Sequence, residues 1–168
     1  WLLIAIIVFA AWFFFGAAPI SLPLLGDVNV SRIIVEKSMH RMTLMDGSTA
    51  VKTYQVALGR GGSGIKQKQG DNKTPEGIYR VVMHNPHSSF HYGLRLSYPE
   101  LRDVDAAQKR GDDPGGDIII HGLRNRLGWI GARHRLIDWT AGCVAVTNQE
   151  IDEIQRVVPD GTVVEIRP

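Results

Sequence analysis

The chain has one cysteine in 168 residues. No internal disulfide can form, so packing alone must hold the fold, and this length is enough for one such core. Charge of either sign is missing before Asp27. The stretch WLLIAIIVFAAWFFFGAAPI, Trp1 to Ile20, is apolar throughout. Twenty helical residues reach about 30 Å, the thickness of a bilayer core. The stretch therefore reads as a membrane anchor, with Trp12 to Phe15 near one interface. A cleaved export signal is the alternative, with Gly16, Ala17 and Ala18 as the small residues a cleavage site prefers. Either reading places the rest of the chain in the cell envelope, on the extracytoplasmic side. Residues 21–31 form a Pro/Gly linker, and residues 32–168 form one domain without internal repeats. A net charge of +2 gives no reason to expect a nucleic-acid partner.

Several motifs are also missing. There is no H-E-x-x-H, and His84, His87 and His91 lie in a segment without helical periodicity, so they read as loop histidines rather than metal ligands. Gly59-Arg60-Gly61-Gly62-Ser63-Gly64 fits G-x-G-x-x-G, but the polar run Ile65 to Asp71 follows it, with no apolar face to make the helix a dinucleotide site needs. No G-K-[ST] closes it into a P-loop. It reads as a flexible loop, and no metal or other cofactor is expected. Asp112 and Asp113, before Pro114-Gly115, read as solvated turn residues.

What is present is mostly strand. Arg32 to Met45 reads as one extended segment, Asp46-Gly47 as a hairpin turn, and Ala50 to Leu58 as the returning strand. Ile78 to Met83, Leu94 to Ser97, Asp117 to His121 and Thr162 to Ile166 read as further strands. Leu101 to Arg110 is a candidate helix. Thr147 to Val158 is a clearer one, opened by the capping box T-N-Q-E and carrying Ile151, Ile154, Val157 and Val158 on one stripe. Gly122 to Thr140 is a basic connection with little periodicity. The expected domain is mainly β with peripheral helices.

The chemistry narrows to Cys143 and His121. A thiol needs a base to become a nucleophile near neutral pH. His121 ends a strand and precedes Gly122, a rigid seat beside an open turn. Gly142 lets the backbone approach a substrate carbonyl, and the Cys143 and Gly142 amides would face a developing oxyanion. The bland reading is that Cys143, followed by Val144-Ala145-Val146, is a buried packing residue. These residues alone leave both readings open.

Ile120-His121-Gly122, followed by Thr140-x-Gly142-Cys143-Val144, resembles the L,D-transpeptidase catalytic domain, or YkuD domain. Gly70-Asp71 with Thr74-Pro75-Glu76-Gly77-Ile78-Tyr79 resembles that family's G-D-x-x-T-P-x-G-x-Y stretch, and Tyr98-Pro99, Pro114-Gly115-Gly116-Asp117 and Asp160-Gly161-Thr162 also fit. The resemblance implies a β-sandwich-like fold with a catalytic cysteine loop. It also implies attack on the L,D bond of peptidoglycan stem peptides through a thioester that an amine resolves. Carried over, Cys143 is the nucleophile and His121 the base. Gly122 holds the ring, Gly142 supplies an oxyanion donor, and Thr140 shapes the loop. Where many members carry Arg or Asn, this chain has Ala145. The spacer between His121 and Cys143 resembles one branch of the family and makes His134 an alternative base. Arg133 and Arg135 suit a stem-peptide carboxylate. A thiol hydrolase on the same scaffold and a wall-binding module with an inert cysteine are the competing functions.

Overall fold

The computed structural model describes residues 28–168. The apolar stretch Trp1 to Ile20 lies outside the described residues, and among those described no helix is long and apolar enough to cross a membrane. Eight strands make one sheet in the order β3-β2-β1-β8-β4-β5-β6-β7. They are β1 (Arg32–Glu36), β2 (Arg41–Asp46), β3 (Thr49–Gln55), β4 (Gly77–Asn85), β5 (Gly93–Leu96), β6 (Ile119–His121), β7 (Val144–Ala145) and β8 (Val163–Arg167). The two α-helices among the described residues are α1 (Leu101–Gln108) and α2 (Asn148–Val157). The domain is thus mainly β with few helices, as its strand-rich composition predicts. In place of a two-sheet sandwich it has one continuous sheet that curls.

The curl has an identifiable seam. Past β3 the chain leaves β2, and Ala57 meets Ala145 of β7 as an antiparallel bridge. Its two hydrogen bonds are Ala145 N to Ala57 O, 2.8 Å, and Ala57 N to Ala145 O, 3.0 Å. Gly59 then bridges Thr140. The run expected as one strand from Ala50 to Leu58 is therefore shared between the two ends of the sheet order. Inside the curl lie Ile33, Leu44, Leu94, Ile120, Val144 and Ile166, all buried. Each contributes roughly 1.5–3 kcal/mol through burial.

The segment expected as continuous from Arg32 to Met45 is instead a hairpin. A 3-10 turn at Lys37–Met39 and a left-handed His40 (φ 47°) divide it. The cause lies far away in sequence. Lys37 is 6% exposed, and its Nζ donates to Glu76 Oε1 at 2.8 Å, Thr74 O at 2.9 Å and Gly64 O at 2.7 Å. The buried ammonium thus pins both ends of the glycine loop. The G-x-G-x-x-G stretch serves close backbone packing here. A Cβ on Gly59 would fall 2.1 Å from Asn72 O and 3.0 Å from Gly142 Cα. Replacing Lys37 by methionine strands Glu76 without its partner, so Lys37→Met is expected to lower stability by about 3 kcal/mol. Urea unfolding checks this, and a loss under about 0.5 kcal/mol, the size of an exposed pair, would contradict it.

Helix α2 forms as its sequence predicts. Thr147 Oγ1 accepts from Glu150 N, the Glu150 side chain accepts from Thr147 N, and Ile151 and Ile154 face the core with no exposed surface. Such a cap contributes about 1 kcal/mol. Asn148 in its first turn accepts the Leu123 N–H through Oδ1 at 2.8 Å, which ties the connection after β6 to the helix.

Candidate active site

β6 and β7 run parallel, with Ile120 opposite Val144 and His121 opposite Ala145. Parallel partners point to the same side, and side chains alternate along a strand. Cys143, two residues before Ala145, therefore faces the same way as His121, one pleat back on the neighbouring strand. Both line a cavity of about 950 Å³. Cys143 is partly exposed, unlike the buried Val144, Ala145 and Val146 after it. A packing role does not account for that exposure.

The loop before the thiol is tightly built. Thr140 is buried; its Oγ1 donates to Cys143 O at 2.8 Å and accepts the Gly142 N–H at 3.1 Å. Gly142 has φ 127°, and a Cβ there would sit 2.7 Å from Lys73 O. No other residue fits that space or that backbone conformation. The Gly142 amide, expected as an oxyanion donor, is spent on Thr140. The Cys143 N–H has no acceptor among the described residues, and it is the donor free to meet an oxyanion.

His121 is 2% exposed. Its Nδ1 donates to Gly122 O at 2.6 Å, which leaves Nε2 with a lone pair to accept a proton. Phe90 lies against the ring at a centroid distance of 4.5 Å and Trp139 meets it edge-on at 5.7 Å. Burial pushes its pKa down to about 4, opposed by the Gly122 hydrogen bond. Burial also pushes the Cys143 thiol upward, with Asp117 adding to the rise and the Ile119 backbone and Lys66 opposing it. In the resting state its Sγ lies 3.5 Å from Asp117 O. At neutral pH the pair is accordingly neutral thiol and neutral imidazole.

His134 enters the same cavity. It is 6% exposed, and its Nδ1 accepts from Trp139 Nε1 at 3.4 Å. Its pKa is also pushed down to about 4, by burial first and Arg135 second. It sits on the 3-10 stretch Gly128–Leu136, kinked at Gly131, within the connection whose sequence shows no periodicity. It is not part of the strand pair that carries the thiol. Arg133 lines the cavity; Arg135 does not, and its guanidinium is held by Glu150. Ala145 is wholly buried and bonded on both sides to Ala57. Among the cavity residues that no sequence motif marks are Phe90, Arg60 and Arg124. Nothing local marks them, since each arrives from its own loop.

The two low histidine pKa values set a pH dependence. An unfolded histidine titrates near 6.5. Between about 6.5 and 4 the unfolded chain binds a proton that the folded chain refuses, so stability present at neutral pH is lost as pH falls through that window. For His121 alone the loss is about 3 kcal/mol. His121→Gln is expected to flatten that slope between pH 7 and pH 4.5 in urea titrations. An unchanged slope would show that His121 is not held neutral.

A buried imidazole at the end of β6 and a partly exposed thiol just before β7 line one cavity of a curled β domain. The model of the L,D-transpeptidase catalytic domain, YkuD, matches residues 30–166. The chain belongs to that family. "Putative L,D-transpeptidase YafK" of Escherichia coli strain K12 is 32% identical over 108 residues, 63% of this chain and 36% of that protein. This chain thus matches only about a third of that relative's length. Among solved structures, the helical cell shape determining protein Pgp2 from Campylobacter jejuni superposes with a TM-score of 0.65 at 26% identity, over 84% of this chain and 48% of that one. Bd1075 from Bdellovibrio bacteriovorus gives 0.58 at 22%, over 83% and 48%. An L,D-transpeptidase from Xylanimonas cellulosilytica gives 0.57 at 17%, over 86% and 64%. The last two show the shared fold.

Proposed function

We propose that this protein is a peptidoglycan L,D-transpeptidase acting through cysteine acyl transfer, held at the envelope by residues 1–20 with its domain on the extracytoplasmic side. The supporting observation is the placement of Cys143 and His121 on one face of β6 and β7, above a single cavity. Sγ attacks the carbonyl of the L,D bond of a stem tetrapeptide while His121 Nε2 takes the thiol proton. The Cys143 N–H stabilises the oxyanion. The C–N bond breaks, Nε2 returns the proton to the departing amine, and D-alanine leaves a thioester on Cys143. An amine of a second stem peptide attacks that thioester and loses a proton to Nε2. The C–S bond breaks and the sulphur recovers the proton.

Hydrolysis is the second reading, with water in place of the amine. It has its own support. Arg60, Arg124 and Arg133, which line the cavity and have no carboxylate partner among the described residues, offer an incoming ammonium no counter-charge, and the carboxylate of Asp117 is held by Arg95 at 2.9 Å.

Intact-protein mass spectrometry with a disaccharide tetrapeptide tests the function. The expected result is an adduct mapped to Cys143 together with free D-alanine. Absence of both would remove the acyl-transfer proposal. Cross-linked dimer among the products favours transfer, and free tripeptide favours hydrolysis.

A further inference from the structure

Three arginines from three separate segments line the catalytic cavity. Arg60 comes from the glycine loop, Arg124 from the turn after β6 and Arg133 from the kinked 3-10 stretch. Most of the domain's other arginines reach a carboxylate, Arg41, Arg95, Arg110, Arg135 and Arg167 among them, while Arg80, Arg126 and Arg156 reach none among the described residues. Arg60, Arg124 and Arg133 reach none among the described residues. Asp117, the one acidic residue lining the cavity among the described residues, already has Arg95. Three exposed arginines therefore line one cavity with no carboxylate partner among the described residues.

A fourth donor stands with them. His134 Nδ1 takes the Trp139 N–H, so the ring proton sits on Nε2. That Nε2 is buried and has no hydrogen-bond partner among the described residues. A buried donor left unmatched costs stability, and such groups are kept where something else meets them. The walls between these donors are apolar: Phe90, Ile130, Ile137 and Trp139. An apolar frame with forked cationic donors at its rim fits carboxylate groups carried on a short peptide, because guanidinium matches the planar oxygen pair.

We infer that Arg60, Arg124 and Arg133 form a carboxylate-recognition subsite, by which the cavity selects stem peptides with free carboxylates over the same peptides carrying carboxamides. The inference rests on the peptidoglycan reading above and specifies the substrate class at that site. These arginines position the peptide; they do not take part in bond making.

Binding can be read without chemistry in Cys143→Ala protein, by calorimetric titration with two synthetic stem tetrapeptides. One has its carboxylates free, and the other has them converted to carboxamides. The free-acid peptide is expected to bind about ten-fold tighter or better, the scale of one charge-assisted hydrogen bond. Adding Arg60→Gln, Arg124→Gln and Arg133→Gln together is expected to erase that preference and leave carboxamide binding unchanged. The binding difference should also shrink as salt rises. Equal binding of the two peptides, no binding of either, or a triple variant that weakens both alike would overturn the subsite. None of these outcomes bears on whether wild-type Cys143 takes up an acyl group, so the two proposals fail separately.

Discussion

Cys143→Ala is expected to abolish covalent adduct formation and turnover, a loss of at least about 10⁴-fold, while the protein folds as before. The two halves of that result come from the same geometry. In the proposed reaction the sulphur becomes the thioester, so alanine leaves nothing to acylate. Its hydrogen bond to Asp117 O is long, 3.5 Å, and the residue is partly exposed. The loop around it is held by Thr140 Oγ1 and the backbone, which alanine keeps. The thermal midpoint should therefore move by a few degrees at most, the scale of about 1 kcal/mol in a domain this size. A packing cysteine would give the opposite pattern, a clear loss of stability with no chemistry to lose. Mass spectrometry and a melting curve on one preparation decide between them.

His121→Gln is expected to slow acylation by about 10³-fold, within the range general-base catalysis contributes. Glutamine cannot accept the thiol proton at Nε2. The resting pair is neutral, so there is no stored thiolate to sustain a fast residual rate. This state also predicts the pH profile. With His121 neutral above about 4 and the thiol raised, acylation in the wild-type protein should rise through an acid limb near pH 4 to 5 and stay level through neutrality. A limb near 6.5 would mean the imidazole is solvated in the working enzyme. His134→Gln is the matching control. Its ring lies outside the β6–β7 pair and accepts from Trp139, so acylation should fall by less than about ten-fold. If His134→Gln gave the larger loss, the proton would travel by the other histidine.

The features legible in the sequence are those whose causes are local. Thr147 and Glu150 are three residues apart and cap α2 between themselves. The Ile151–Ile154 stripe needs only the helical period. His121 at a strand end and Cys143 after a glycine stood out for the same reason. The features that were not legible depend on partners distant in sequence. Lys37 breaks the first extended segment because Glu76, 39 residues on, receives its ammonium. Asp138 holds the Leu58 amide at 2.7 Å across 80 residues, and this helps turn the end of the β3 run toward β7. The sandwich expectation gave way to a curled sheet because the Ala57–Ala145 bridge joins two alanines that carry no signal of their own. At the site, the oxyanion assignment changed at Gly142, whose amide is bound by the Thr140 hydroxyl two residues earlier. Arg60 and Arg124 became visible only when three loops met at one cavity.

The strand order has a consequence for how such a chain comes into being. Of these eight strands β8 is the last to be synthesised, yet it lies inside the sheet, with Arg32 opposite Val163 on one side and Tyr79 opposite Val164 on the other. Until Arg167 has emerged, β1 and β4 have no strand between them, and the halves of the sheet they belong to cannot be joined. Pairings this far apart in sequence form late and slowly. A growing chain therefore carries its hairpins as separate pieces and gains its cooperative core in one final event.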